Sequence, residues 1–158
     1  MSDVVVDVQF ASNHDVPSAS DIENWVVRAL RAAASDLAGT AEVAVRVVDE
    51  DEMQALNREY RDKDQPTNVL SFAPTQQPAM PADAPRNLGD IVLCAPVVAA
   101  EAAAQQKRPE HHWAHLIVHG TLHLLGYDHI KPDDAATMEA CEVRILSEHG
   151  IPDPYRVA

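Results

Sequence analysis

HGTLHLLGYDH, residues 119–129, carries three histidines at a spacing that one helix and one turn would bring together. His119 and His123 are four apart, so on a helix their imidazoles leave the same face, one above the other, close enough to share an ion. Gly126 interrupts the helical run and lets the chain turn back, which delivers His129 as a third ligand from another direction. Three neutral imidazoles suit zinc. A closed structural site takes a fourth protein ligand, often Cys, and no Cys lies nearby. The pattern therefore predicts one zinc ion with an open fourth position, and a catalytic site. A lone histidine in an apolar helix is explained by packing; three at this spacing, with a turn glycine between the second and third, are not. His111, His112 and His115 crowd the same region. His115 sits four before His119, but three rungs of one straight helix cannot converge on a tetrahedron, so it is read as support behind the ligands or as core packing.

The spacing is similar to that of the metzincin proteases, H-E-x-x-H-x-x-G-x-x-H, in every position but one. Where those enzymes carry the glutamate general base, this chain has Gly120. A zinc peptidase without that base lacks the group that deprotonates the attacking water, which argues against peptide hydrolysis by that route and leaves a metallohydrolase of another bond.

Outward from this stretch, 158 residues, 46% of them hydrophobic, make one domain with one sizeable core. No apolar run reaches the length of a membrane span, and MSDVVVDVQF has neither a basic segment nor a signal-peptide core, so the chain reads as cytoplasmic. Cys94 and Cys141 fall in a predicted strand and a predicted helix and are read as small buried hydrophobes. A net charge of −13 repels a polyanion over most of the surface, so any RNA binding must be local. Arg58, Arg61 and Lys63 form the one notable basic bunch. From the residues alone, Arg61 is equally a helix C-terminal cap and a phosphate clamp.

The flanking pattern predicts alternating strands and helices. Val4, Val6, Val8 and Phe10 form the apolar face of a first strand. Ser20 with Glu23 makes a capping-box pattern for a helix whose face holds Ile22, Trp25, Val26, Ala29, Leu30, Ala33 and Leu37, ended by Gly39. Ala41–Val48 is a second strand. The acidic run Asp49–Glu52 suits the first turn of a second helix, with Met53, Leu56 and Tyr60 inward, running out near Arg61. NVLSF, Asn68–Phe72, is a third strand, and the four prolines between Ala73 and Asn87 mark an exposed loop. IVLCA continues from Gly89 and Asp90 as a buried strand. Pro96 opens an alanine-rich helix to about Gln106, and Pro109 opens the histidine helix, apolar nearly all round and therefore central. A last helix begins at Asp133 or Asp134 with Met138, Cys141 and Ile145 inward, ended by Gly150. The expected fold is α/β (α+β): a mixed sheet of about four strands packed with helices around the central histidine-bearing helix.

LNREYRDKDQPTNVLSF (56–72), GDIVLC (89–94) and HGTLHLLGYDH (119–129), in this order and with a closing DPY at 153–155, resemble the YbeY family of bacterial endoribonucleases over essentially the whole chain. The resemblance implies a metal-dependent endoribonuclease specific for single strands. It would mature ribosomal RNA, notably the 3′ end of the small-subunit RNA, and serve ribosome quality control. Its implied partners are single-stranded and ribosomal RNA and the small ribosomal subunit, with no DNA and no membrane. It places the zinc ligands on His119, His123 and His129 and the functional arginine on Arg61. Zinc with an open position helps phosphodiester cleavage, and a guanidinium stays charged and pairs with phosphate oxygens. The residues leave open whether water or the RNA 2′-hydroxyl attacks, and Gly120 cannot be the base for either. Asp128, beside His129, is expected to orient that ligand. Two other readings stay in view: a noncatalytic ribosome or RNA-binding factor stabilised by zinc, and a hydrolase of another bond, such as a peptidase.

Overall fold

The computed structural model of the chain describes residues 3–37, 39–74, 85–128 and 130–156. In chain order these form β1 (Asp3–Ala11), α1 (Ala19–Ala33), β2 (Thr40–Val48), α2 (Glu50–Arg61), β3 (Val69–Phe72), β4 (Arg86–Cys94), α3 (Ala95–Ala104), α4 (Pro109–Leu124) and α5 (Pro132–Ser147). The strands pair in the order β1-β2-β4-β3, parallel for β1/β2 and β2/β4 and antiparallel for β3/β4. Parallel neighbours need a crossover, and α1 supplies the one between β1 and β2. The mixed α/β sheet expected from the element order is thus present.

Several boundaries differ from the sequence expectation. The cap of α1 is Ser18, whose hydroxyl accepts the Asp21 N–H at 3.1 Å; Ser20 lies in the first turn. Ser18 and Asp21 offer the same three-residue spacing as Ser20 and Glu23, so the pattern alone had two solutions. Helix α1 stops at Ala33, well before Gly39, and Leu37 packs on the core from the connection instead of from the helix. Phe10 is 46% exposed, because β1 is an edge strand and only Val4, Val6 and Val8 reach the core. Tyr60 is 58% exposed on α2, its ring edge-on to Phe72 at 5.1 Å, while Met53 and Asn57 are buried in its place. Strand β4 begins at Arg86, where Arg86 and Asn87 pair with Ala41 and Glu42 of β2, so the proline-rich loop is shorter than expected. Its residues 75–84 lie outside the described residues.

The core is layered about α4. On one side of that helix, Leu116, Ile117 and Leu124 pack with α1 and with Val43, Val45, Ile91 and Leu93 of the sheet. On the other, Ala114, Val118 and Leu122 pack against Met138, Cys141, Ile145 and Leu146, all from α5. Helix α2 covers part of the opposite sheet face, with Met53 against Val48, Leu70 and Val92. A helix enclosed on two sides needs apolar residues nearly all round, which is the composition read for α4. Both cysteines are buried and free.

Helix α4 lies close against the sheet at Gly120. A Cβ there would lie 2.9 Å from Ile91 Cγ2 and 3.1 Å from Ser71 Oγ. Gly→Ala in an exposed helix interior gains about 1 kcal/mol. Here overpacking, about 1–3 kcal/mol, opposes that gain. Gly120→Ala should therefore lower the thermal midpoint, and Gly120→Glu should lower it further; a midpoint raised by Gly120→Ala would show that the sheet yields at this contact.

Candidate metal centre

The rings of His119 and His123 lie 4.6 Å apart at 79°, the juxtaposition that a four-residue spacing on α4 requires. Beyond Leu124 the helix closes through Gly126, at φ 98°, whose N–H bonds the His123 carbonyl at 3.0 Å, and the Tyr127 N–H returns to the Leu122 carbonyl at 3.1 Å. A positive φ of this size favours glycine, so the turn expected at Gly126 is formed as the pattern demands. His129 lies outside the described residues. Its neighbours are joined by a hydrogen bond from the Ile130 N–H to Asp128 Oδ1 at 3.2 Å.

Arg61 approaches from the other side, as the last residue of α2. Asp62 takes the left-handed conformation, at φ 56°, and the Lys63 N–H bonds the Asn57 carbonyl at 3.3 Å. The buried Asn57 side chain donates to the Gln65 carbonyl at 2.8 Å and pins the loop that follows. The guanidinium of Arg61 is thereby held with Nη2 donating to the Ser71 carbonyl of β3 at 3.3 Å. Arg61, Ser71, His119, His123 and Asp128 all line one cleft of about 750 Å³. The fold thus gathers, from α2, β3, α4 and the segment that follows α4, residues up to 67 positions apart in sequence.

Behind the histidines sits a residue that the sequence reading passed over. Glu142 of α5 has no solvent exposure. Its Oε2 lies 2.7 Å from His119 Nδ1, and its Oε1 lies 3.0 Å from His115 Nε2 and accepts a hydrogen bond from the Tyr155 hydroxyl. Burial alone would push this carboxyl up. The hydrogen bonds to His115 and His119, the charge of His115 and the Tyr155 hydroxyl outweigh that and hold it at about 2. Burial, and then the bond to Glu142, push the Tyr155 phenol up. The sequence did carry a signal: position 142 falls on the inward stripe of Met138, Cys141 and Ile145, where a carboxylate needs partners. His115 is buried and shares the Glu142 carboxylate with His119. The ligating atoms of His115, His119 and Glu142 also lie within 4.8 Å of one another, so a buried group able to hold a metal ion is present among the described residues.

His112, one turn nearer the start of α4, belongs to a separate network. Its Nε2 lies 2.9 Å from Glu101 Oε1, and Glu101 also accepts from the Asn68 side chain at 3.1 Å. Burial lowers the His112 pKa, only partly offset by the hydrogen bond and charge of Glu101.

Comparison with known proteins bears on the same residues. The family model described as Endoribonuclease YbeY matches residues 7–150. A protein of Halorhodospira halophila named Endoribonuclease YbeY is 49% identical over 156 residues, which are 99% of each chain. One of the same name from Alcanivorax borkumensis is 50% identical over 155 residues, 97% of this chain and 87% of that one. A solution structure of a Thermotoga maritima protein shares the fold, with a TM-score of 0.58 at 24% identity, over 96% of this chain and 99% of that one.

Because its folded pKa is depressed, His112 refuses a proton that the unfolded chain accepts below about pH 6.5. Its contribution to stability is whole above that pH and is lost as the pH falls toward the folded value. For metal-free protein, the drop in thermal midpoint between about pH 7.5 and about pH 5.5 should be smaller in His112→Gln than in the wild type. Equal drops would remove His112 from the acid response.

Proposed function

Since the chain belongs to the YbeY endoribonuclease family, we propose that it is a zinc-dependent endoribonuclease, one domain with one ion per chain, that cuts single-stranded RNA in ribosomal RNA maturation. The observation that carries this reading is the single cleft in which Arg61 stands across from His119 and His123. The 3′ end of the small-subunit RNA is the substrate that this reading assigns, with the small ribosomal subunit as partner and the cytoplasm as location. Among the described residues no helix is long and apolar enough to cross a membrane.

The donor set fits zinc. His119 and His123 present imidazoles to the cleft at a spacing that can share an ion, and His129 is assigned as the third ligand. When bound there, zinc supplies Lewis-acid stabilisation of charge that develops on phosphodiester oxygens. The chain's own groups do the rest. The bond from Arg61 to the Ser71 carbonyl fixes the guanidinium while leaving further N–H groups to clamp a phosphate. That preorganised charge acts where negative charge accumulates during phosphoryl displacement. Asp128, which lines the cleft and accepts from the Ile130 N–H, is assigned to orient His129.

The peptidase alternative loses support at Gly120. A glutamate base would need a Cβ where Ile91 and Ser71 already stand, so the zinc-protease arrangement has no room on this helix. The noncatalytic, zinc-stabilised RNA-binding factor remains as an outcome of the test below.

Cleavage of a labelled single-stranded RNA should be measured for wild type, Arg61→Ala and His123→Ala purified side by side, with zinc content determined on each. Arg61→Ala should keep its zinc and lose about 10²–10³ in rate, while His123→Ala should lose both zinc and cleavage. Equal cutting by all three would trace the activity to a contaminant and overturn the assignment. Zinc without any cutting in the wild type would favour the binding factor.

A further inference from the structure

Glu142 is the only fully buried charged side chain among the described residues, and nothing in the cleavage chemistry above uses it. An ionised carboxylate can only accept hydrogen bonds. Each ring nitrogen facing it must then carry its proton: Nδ1 of His119 at 2.7 Å and Nε2 of His115 at 3.0 Å. The tautomers of both histidines follow. His119 is left with Nε2 as its lone-pair nitrogen, on a ring that lines the cleft. His115 is left with Nδ1, which is buried and has no partner among the described residues.

Resting on the zinc reading of His119, His123 and His129, we propose that Glu142 is a positioning residue for the metal centre: it locks His119 in the Nδ1–H tautomer and thereby presents Nε2 as the ligand. His115 and Tyr155 hold the carboxylate in turn. Both donate to Oε1 and leave Oε2 to His119. The two supports come from separate places, α4 and the segment after Ile151, and the carboxylate from α5, so their meeting is not a by-product of a single helix. Histidine ligands in metal sites are commonly oriented this way, and loss of the carboxylate costs metal affinity even though it never touches the ion. The same atoms admit a competing arrangement, in which an ion sits directly among His115, His119 and Glu142. That arrangement would displace the hydrogen bonds that join the Glu142 carboxylate to His115 Nε2 and His119 Nδ1.

Zinc dissociation constants, measured by chelator competition on full-length protein, separate the two. With Glu142 in a positioning role, Glu142→Gln should bind zinc about 10–100-fold more weakly than wild type. Tyr155→Phe, acting only through Glu142, should weaken binding by a smaller factor, and His123→Ala should abolish it. If His123→Ala keeps zinc at near wild-type affinity while Glu142→Gln binds none, the ion is held directly by the buried group and the proposal fails. It fails equally if both Glu142→Gln and Tyr155→Phe bind as the wild type does. Circular dichroism of the metal-free variants controls for folding. Should Glu142→Gln unfold, histidine ¹⁵N shifts of the metal-free wild type decide the matter: a protonated Nδ1 on His119 is expected, and a protonated Nε2 would overturn the proposal. None of these readouts uses RNA, so an inactive wild type would sink the nuclease reading and leave the positioning role standing.

Discussion

The distance between α4 and the edge of the sheet governs the rest of the molecule, and Gly120 sets it. With no side chain at that position, the helix backbone comes near enough for the Ser71 hydroxyl to donate to the Gly120 carbonyl at 2.9 Å. The carbonyl of the same Ser71 receives Arg61. One residue of β3 therefore touches both walls of the cleft, and the gap between guanidinium and imidazoles is fixed by a helix-to-strand contact far stiffer than a surface loop. The contact also explains the chemistry that is missing. A helix this close to its sheet can carry histidines along one edge, but not a glutamate on the face that meets Ile91.

Electrostatics sharpen the picture. With 25 acidic residues against 12 basic ones, the chain has little general attraction for a polyanion. Within the basic bunch, Arg58 is paired with Asp64 at 3.5 Å, an exposed contact that contributes little to stability but partly cancels its charge. Arg61 and Lys63 instead line the cleft. Positive charge is thus concentrated where the histidines are, and an ion bound among them would add to it. Attraction that is local in this way favours a substrate delivered as an exposed single strand over one gathered along a broad basic surface.

The histidine-rich helix also shows why a count of histidines is a poor guide to roles. His112 is tied to Glu101 and Asn68, His115 to Glu142 and Tyr155, and only His119 and His123 line the cleft among the described residues. The spacing argument set His115 apart from the ligands because one straight helix cannot wrap an ion, and it did not foresee the buried group of His115, His119 and Glu142 that could hold one. It had no means of finding Glu142, which lies 23 residues after His119 and meets it only because α5 packs across α4. From its place beside His129, Asp128 reads as the orienting carboxylate; among the described residues its side chain accepts from the Ile130 N–H, and a second carboxylate, Glu142, reaches the His119 ring from another helix.

What the sequence determined by itself was everything that depends on short-range periodicity. The pairing of His119 with His123, the turn at Gly126, the helix openings at Pro96 and Pro109, and the apolar circumference of α4 are consequences of 3.6-residue geometry, glycine's tolerance of positive φ and proline's missing N–H. The sheet class followed from the order of those elements. The tertiary structure alone decided the rest: Ser18 over Ser20 as a cap, the exposure of Phe10 and Tyr60, the start of β4 at Arg86, and above all which distant groups share a space. Arg61 shares a cleft with His119 and His123, and Glu142 reaches His119 from α5, because distant elements pack at one fixed spacing. That spacing is a property of interlocking side chains from residues far apart in the chain, which no local pattern encodes.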